Sequence, residues 1–430
     1  MKRVYSLKRL CAKDFNSIAA LAGAKSCVMG IDVAKRELVL MIRCDDAQFI
    51  GPYKAANPHQ VGDIAELARR LAARGPVQFA MEPSGTYGDA LRQALAEAGL
   101  ALQRVQSKRS HDYAEVFDGV PSQHDGKDAA VIAELCAIGK CDPWTYEPCD
   151  EKESLMRFLV EWMDGQSRIH RLWIGRIEAL LARHWPEATQ CMELRSGTLL
   201  RTLAHYGGPA ALARDNDAAR NLRKWGRRLL NAAKAAALLD SAGKTLGVKQ
   251  NQADQLRIRR VAREALRASL EAKRANRQLR TLARDNPIIQ AQAQAIGVGS
   301  ACVLWCRLGN PRDYFCAGAY RKAMGLNLKE RSSGSYRGPL RISKRGDSMV
   351  RRWMHLAALR LIQQSPQVQS WYRDKRLRDG GDHKRAITAV VRRLAIALHK
   401  IANGSEPFDS RRLFAGLTAA QSAGGVQRNH

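Results

Sequence analysis

Several things are missing from this chain. No apolar run approaches the ~18–20 residues that a membrane span needs, so the sequence offers no membrane helix. The ten cysteines include no CxxC pair. The closest two, Cys302 and Cys306, stand one helical turn apart, a pattern of buried thiols in a reducing cytoplasm rather than of a zinc site or a disulfide framework. The first 26 residues are basic and partly apolar. They lack an apolar core followed by a small-residue cleavage site, and read as an extension rather than a signal peptide. No internal repeat is evident. Acid is in short supply: 41 Asp and Glu stand against 71 Lys and Arg in 430 residues, a net charge of +30. That excess is beyond what solubility requires and points to a polyanionic partner.

A hydrophobic content of 45% and a mean hydropathy of −0.36 describe a folded chain long enough for two or three domains. The charge is unevenly placed. Residues 1–150 carry 19 basic and 19 acidic side chains, and the remainder 52 and 22. Nucleic acid is therefore expected to grip the later two-thirds, while the neutral first third does something else.

The first third alternates strand-like and helix-like segments. Cys27 to Ile31, Leu38 to Ile42 and Phe49 to Tyr53 are short apolar runs joined by turns, the third interrupted by Gly51-Pro52. Ile64, Leu67, Ala68 and Leu71 recur at helical spacing. Val77 to Met81 is another strand, followed by a helix over Leu91 to Leu100, a strand near Leu102 to Val105, and a helix from Asp128 through Leu135. This is an α/β layout. From about Glu151 to Arg284 the strand-like runs vanish and Leu, Ala, Arg and Glu dominate. Long amphipathic helices, or a coiled-coil arm, are expected there. A mostly helical domain resumes at Ile288, and Ala419 to His430 read as a frayed tail. The expected divisions are a basic extension (1–26), an α/β domain (27–148), a helical arm (149–285), a mostly α domain (286–418) and a tail (419–430).

Four carboxylates stand out. Asp32 and Glu82 each fall at the expected C-terminal end of a strand. If those strands are neighbours, both side chains project from one sheet edge. Asp125 and Asp128, three apart at a helix start, share a face. Such a set forms a hard oxygen cage suited to Mg²⁺ and to phosphodiester chemistry. Two other readings remain open. Asp125 and Asp128 also suit a helix N-terminus electrostatically. Gly30-Ile31-Asp32-Val33-Ala34-Lys35 also fits ATPases and kinases of the actin and sugar-kinase type, though the further phosphate and adenosine loops those folds need are absent.

Ser332-Ser333-Gly334-Ser335 lies in a basic, glycine-punctuated segment. Lys329, Arg331, Arg337 and Arg341 flank the serines, and Lys344 and Arg345 follow. Residues 321–360 hold 11 Lys and Arg against 2 Asp and Glu. A serine can attack phosphorus where the developing charge is balanced, and arginines grip phosphate bidentately. The same segment also suits a loop that only binds phosphate. Gly297 and Gly299 in Ile296-Gly297-Val298-Gly299 resemble a helix–hairpin–helix turn whose backbone amides bind a phosphate.

Taken in order, Gly30 to Lys35, Glu82-Pro83-Ser84-Gly85-Thr86-Tyr87, Asp125-Gly126-Lys127-Asp128-Ala129, Ile296 to Gly299, Ser332-Ser333-Gly334 and Ile342-Ser343-Lys344-Arg345-Gly346-Asp347 resemble the Asp-Glu-Asp-Asp transposases of bacterial insertion sequences. That family includes the Piv-type invertases and bridge-RNA-guided recombinases. The resemblance implies an RNase H-like (RuvC-like) α/β N-terminal domain, a helical or coiled-coil middle, and a mostly α C-terminal transposase domain with a serine nucleophile. It implies Mg²⁺ on Asp32, Glu82, Asp125 and Asp128, and an active site shared between protomers of a dimer or tetramer. DNA is the implied substrate and a structured RNA the implied guide, in a bacterial cytoplasm at the nucleoid. The Ser-Gly step favours Ser333, with Ser332 and Ser335 as alternatives. The middle region is longer than the family leads one to expect. Beside the recombinase reading stand a metal nuclease or junction resolvase without a covalent intermediate, and a non-catalytic nucleic-acid-binding protein.

Overall fold

A computed structural model describes residues 6–120, 124–144, 146, 150–330, 332–333, 336–338, 340–404 and 407–414. The chain divides into two compact units, Met1–Cys149 and Asp150–His430. The expected tail, 419–430, lies outside the described residues.

The first unit is built in the order β1 (Lys8–Arg9), α1 (Phe15–Ala22), β2 (Cys27–Val33), β3 (Glu37–Cys44), β4 (Phe49–Ala56), α2 (Val61–Ala72), β5 (Val77–Met81), α3 (Asp89–Glu97), β6 (Leu102–Arg104), α4 (Ser107–Asp118), α5 (Asp125–Ala137) and β7 (Asp142–Pro143). Among the described residues, seven strands form one sheet in the order β1-β4-β3-β2-β5-β6-β7. β2, β3 and β4 are an antiparallel meander, while β5 runs parallel to β2 and β6 parallel to β5. This is the RNase H-like, RuvC-like arrangement that the sequence leads one to expect.

Side chains alternate across a strand, so β2 serves two cores. Met29, Ile31 and Val33 pack with α1 and α2, whereas Val28 packs with Val131 to Cys136 of α5. β4 runs through Gly51-Pro52 instead of stopping there. The register with β3 shifts between Leu40 and Ile42, and the extra residue of this irregularity accommodates a proline that cannot donate to the ladder. The N-terminal segment is not a mere extension, as the sequence suggested. Lys8–Arg9 pair with β4, and Leu10, Phe15, Ile18, Ala19 and Ala22 are buried in the sheet's core. An amphipathic helix with that apolar face has to be covered.

In the second unit, α6 (Glu151–His184) and α12 (Gln252–Leu282) are long helices running antiparallel. Lys152 reaches Asp285 (3.8 Å) at one end and His184 reaches Asp254 (3.8 Å) at the other. Between them lie α7 (Ala188–Cys191), α8 (Gly197–Tyr206), α9 (Pro209–Arg214), α10 (Ala218–Gly226) and α11 (Ala232–Gly243). The arm is thus more than a coiled coil. These short helices close their own core, with Ile177, Leu181, Trp185, Leu203, Leu222 and Leu238 buried together.

The remainder comprises α13 (Pro287–Ile296), α14 (Val298–Leu308), α15 (Ala317–Ala323), the two-residue strands β8 (Leu328–Lys329), β9 (Ser332–Ser333), β10 (Tyr336–Arg337) and β11 (Arg341–Ile342), then α16 (Ser348–Gln364), α17 (Pro366–Arg378), α18 (His383–Asn403) and α19 (Ser410–Leu413). The expected boundary at 285/286 does not separate two cores. Met156, Leu159, Val160 and Met163 of α6, with Ala275 and Leu279 of α12, are buried in one cluster with α13 to α18. At that seam, buried Asp164 accepts from Arg168 (2.9 Å), Arg352 and the Trp353 indole (2.8 Å). Among the described residues no helix is long and apolar enough to cross a membrane.

Candidate carboxylate centre and serine ribbon

β2 and β5 are adjacent and parallel, with Ile31 opposite Met81. Asp32 and Glu82 are the next residues along each strand path, so both emerge at the same sheet edge. Strand alternation puts Val28, Gly30 and Asp32 on one face, the face covered by α5. That helix starts at Asp125, three residues earlier than the sequence indicates. Its N-cap is His124, whose Nδ1 accepts from the Gly126 amide at 3.1 Å. Asp125 and Asp128 then lie on the first turn, facing the strand ends.

Gly30 sets how closely α5 approaches. A β-carbon there would overlap the Ala129 carbonyl oxygen and lie 2.5 Å from the Ala133 amide nitrogen. Lys127, fully buried, is directed away from the carboxylates: Nζ donates to Asp118 Oδ1 at 2.6 Å and to the Val120 carbonyl at 2.5 Å. It ties the end of α4 to the start of α5.

Asp32, Asp125 and Asp128 offer ligand oxygens that all lie within 4.8 Å of one another. Glu82 stands outside that trio, yet its charge acts on both Asp32 and Asp128. Burial, then the charges of Asp128, Asp125 and Glu82, push the Asp32 carboxyl up to about 6. Burial followed by Glu82 and Asp125 raises Asp128 as well, against Lys127 and His124. Carboxylates so placed favour a proton or a shared cation. The donor set, all hard oxygen, fits a divalent ion of the magnesium type.

In the second unit, the serine segment forms a short antiparallel ribbon. Ser333 pairs with Tyr336 and Ser332 with Arg337, while Lys329 pairs with Arg341 across β8 and β11. Ser332 and Ser333 are exposed and, being consecutive in a strand, point to opposite faces. Ser333 shares its face with Tyr336. Arg331 and Ser335 lie outside the described residues. Lys344 and Arg345 are exposed. Their segment is also a fitted turn: Ser343 and Lys344 donate amides to Asn327 and Gly325 (2.6 and 3.1 Å), and Asp347 caps α16 through Val350 N (2.9 Å) while pairing with Arg307 (2.7 Å). Sequence reading did not give Gly30, Lys127 or this turn a structural role.

Gly297, at φ +77, ends α13 and starts α14. Gly299 lies where a β-carbon would meet Asn276 Oδ1 at 2.6 Å. A cavity of about 360 Å³ beside them is lined by Arg171, Lys273, Arg280, Arg352 and Arg360 among others. Arg360 is partly committed, donating to the Ile296 carbonyl (3.2 Å) and to Ser300 Oγ (2.9 Å).

Residues 291–373 match the family model described as "Transposase IS116/IS110/IS902 family". Residues 29–186 match a second model, described as a transposase and named for the Asp-Glu-Asp-Asp type of IS110. No curated protein matches the chain. Among solved structures, one similar chain is "T. thermophilus RuvC in complex with Holliday junction substrate", 18% identical, covering 28% of this chain and 99% of that one, with a TM-score of 0.22.

Proposed function

This chain belongs to the IS116/IS110/IS902 family of transposases, and on that premise we propose that it cuts and rejoins DNA through a phosphoserine intermediate at Ser333. The carrying observation is the convergence of Asp32, Asp125 and Asp128 within 4.8 Å, with the charge of Glu82 acting on the group. An acid cluster of this kind, combined with an exposed serine in a basic ribbon, divides into a phosphate-activating part and a nucleophile.

The four carboxylates would hold Mg²⁺, which when bound neutralises charge on a scissile phosphate and orients it. The chain's own groups do the rest. Ser333 Oγ forms a bond to phosphorus and gives up its proton. The bond from phosphorus to a deoxyribose oxygen breaks, that oxygen leaves as a hydroxyl carrying one proton, and DNA becomes joined to the protein. Attack by a different deoxyribose hydroxyl then restores a phosphodiester and frees the serine, so phosphodiester bonds are conserved and no water is consumed. Lys329 and Arg341, paired across their ribbon, together with Lys344 and Arg345, balance phosphate charge. The amides at Gly297 and Gly299 bind backbone phosphate.

Serine and carboxylates belong to separate compact units. In the reading advanced here a dimer or tetramer lets the serine of one copy serve the carboxylates of another. A structured RNA is the proposed guide. Pairing would then select sequence, and the protein would need contacts only to shape and backbone, which suits the basic later two-thirds.

The test is a denaturing gel of protein, with any co-purifying RNA retained, incubated with element-end DNA and Mg²⁺. A protein–DNA band that survives denaturant and is lost in both Ser333→Ala and Asp125→Asn supports the proposal. Cleaved DNA without such a band, undiminished in Ser333→Ala, would replace it with the metal-nuclease reading.

A further inference from the structure

A second basic pocket, apart from the serine ribbon and the Gly297 turn, lies among α15, α17 and α18. It measures about 340 Å³ and is lined by Arg321, Trp371, Lys375, Arg378, Arg392 and Arg393 with two apolar residues. Lys375 is paired with Asp379, and Arg393 packs over the Trp371 ring at 4.5 Å and donates to the Leu413 carbonyl at 2.8 Å.

Three inner donors of this cluster stand without acceptors among the described residues. Arg321 Nε, Arg392 Nε and the Nε1 of Trp371, a residue only 4% exposed, are buried and have no hydrogen-bond partner among the described residues. Buried donors of this kind ordinarily find one. Burial and then the charge of Arg321 hold the Arg392 guanidinium below its usual range, and burial and then Arg378 do the same for Arg393. Among the described residues, like charges are therefore gathered with Asp379, paired to Lys375, as an anion beside them. A fold tolerates that arrangement when a ligand supplies the missing acceptors, as with anions at preorganised arginine clusters.

We propose that this pocket is a phosphate-binding site that takes a backbone phosphate of the DNA on which the chain acts. The assignment to DNA rests on the transposase reading; the phosphate chemistry rests on the pocket alone. The arginines here are spread over three helices. Each can offer a planar fork to a phosphodiester.

The test uses the full chain as Ser333→Ala, without divalent ion, so that no strand is cut. Pyrophosphate serves as the small probe in thermal melts. A 30-bp duplex, and an RNA duplex of the same sequence, serve in anisotropy titrations over a range of salt. Arg321→Gln/Arg392→Gln is compared with Arg227→Gln/Arg228→Gln, which removes the same charge from exposed positions elsewhere.

The expected result has four parts. Pyrophosphate raises the melting temperature, and the pocket variant loses that rise. The pocket variant binds the DNA duplex about tenfold more weakly, with a salt slope shallower by about one. The exposed control stays within about twofold of the parent. The free pocket variant melts no lower than the parent, since repulsion is relieved, and Arg321→Lys/Arg392→Lys recovers most of the affinity.

Several outcomes overturn the proposal. They are an equal loss in the control, unchanged duplex affinity, a retained pyrophosphate shift, or a variant that melts lower unliganded because the arginines are structural. Loss confined to RNA, or to pyrophosphate, would reassign the pocket away from DNA. A chain that never forms a covalent DNA adduct can still pass, and one that forms it can fail, so this inference and the serine mechanism fail separately.

Discussion

Gly30 on β2 lies directly beneath Ala129 on α5, so close that a β-carbon on the glycine would overlap the alanine's carbonyl oxygen. That contact holds the first turn of α5, with Asp125 and Asp128, against the end of the strand that carries Asp32. The spacing of the carboxylates is thus set by a residue two positions before the first of them.

Gly30→Ala is therefore expected to cost about 3 kcal/mol of stability in the first unit, because backbone rather than a flexible side chain must give way. Displacing α5 should weaken Mg²⁺ binding by about tenfold or more, measured by titration calorimetry. Wild-type affinity in this variant would show that α5 is free to shift without opening the site.

The crowding of Asp32 gives a pH dependence. Its folded carboxyl titrates near 6, above the ordinary aspartate value of about 3.9. Between those limits the folded chain binds a proton that the unfolded chain has lost. The metal-free fold therefore loses stability as pH rises through about 4 to 6. Divalent ion must displace that proton below pH 6. Mg²⁺ should raise the melting temperature clearly more at pH 7.5 than at pH 5, and EDTA should abolish the difference. Asp32→Asn should stabilise the metal-free chain at pH 7.5 by about 1–2 kcal/mol, a figure reduced for solvent screening, while removing the Mg²⁺ response. An equal Mg²⁺ shift at both pH values would contradict this account.

Lys127 has a different part from the acids beside it. Lys127→Met would remove the buried ammonium that donates to Asp118 and to the Val120 carbonyl, at a cost of about 2–3 kcal/mol. Urea denaturation followed by a probe in the first unit would measure it. A loss below about 0.5 kcal/mol would mean the ion pair is not structural.

The two described serines of the ribbon should separate cleanly. They point to opposite faces, so one geometry cannot serve both as nucleophile. Ser333→Ala should lower strand transfer on the order of 10³-fold or more, and Ser332→Ala by less than about tenfold, in a quantitative excision assay. The reverse order would move the nucleophile to Ser332.

The strand ends and the helix turn that carry the carboxylates were legible in the sequence because they depend on local pattern. Apolar runs ending in Asp32 and Glu82 gave the strand ends, and i, i+3 spacing gave the shared face of Asp125 and Asp128. The role of Gly30 was not legible, since it is defined by a helix one hundred residues away. Nor was the fate of Lys127: a lysine between two aspartates reads as part of the charged site, and only tertiary packing turns it away. The N-terminal segment was misjudged because its strand is two residues long and its helix eight, too short for periodicity to speak. The seam joining the arm to the C-terminal core escaped notice because Met156 to Met163 and Ala275 to Leu279 look alike whether they pack on each other or on a third helix. The cluster around Arg321 and Arg392 combines residues seventy apart, and in sequence it is only part of a generally basic background.

The central claim is that Ser333 becomes joined to DNA. Element-end DNA would be reacted in the presence of Mg²⁺, the complex denatured, digested with nuclease and protease, and its peptides sequenced by mass spectrometry. The account predicts a nucleotide-phosphate adduct on Ser333, absent from Asp125→Asn protein. An adduct on Ser332 or Ser335, or cleaved DNA with no modified serine at all, would contradict it.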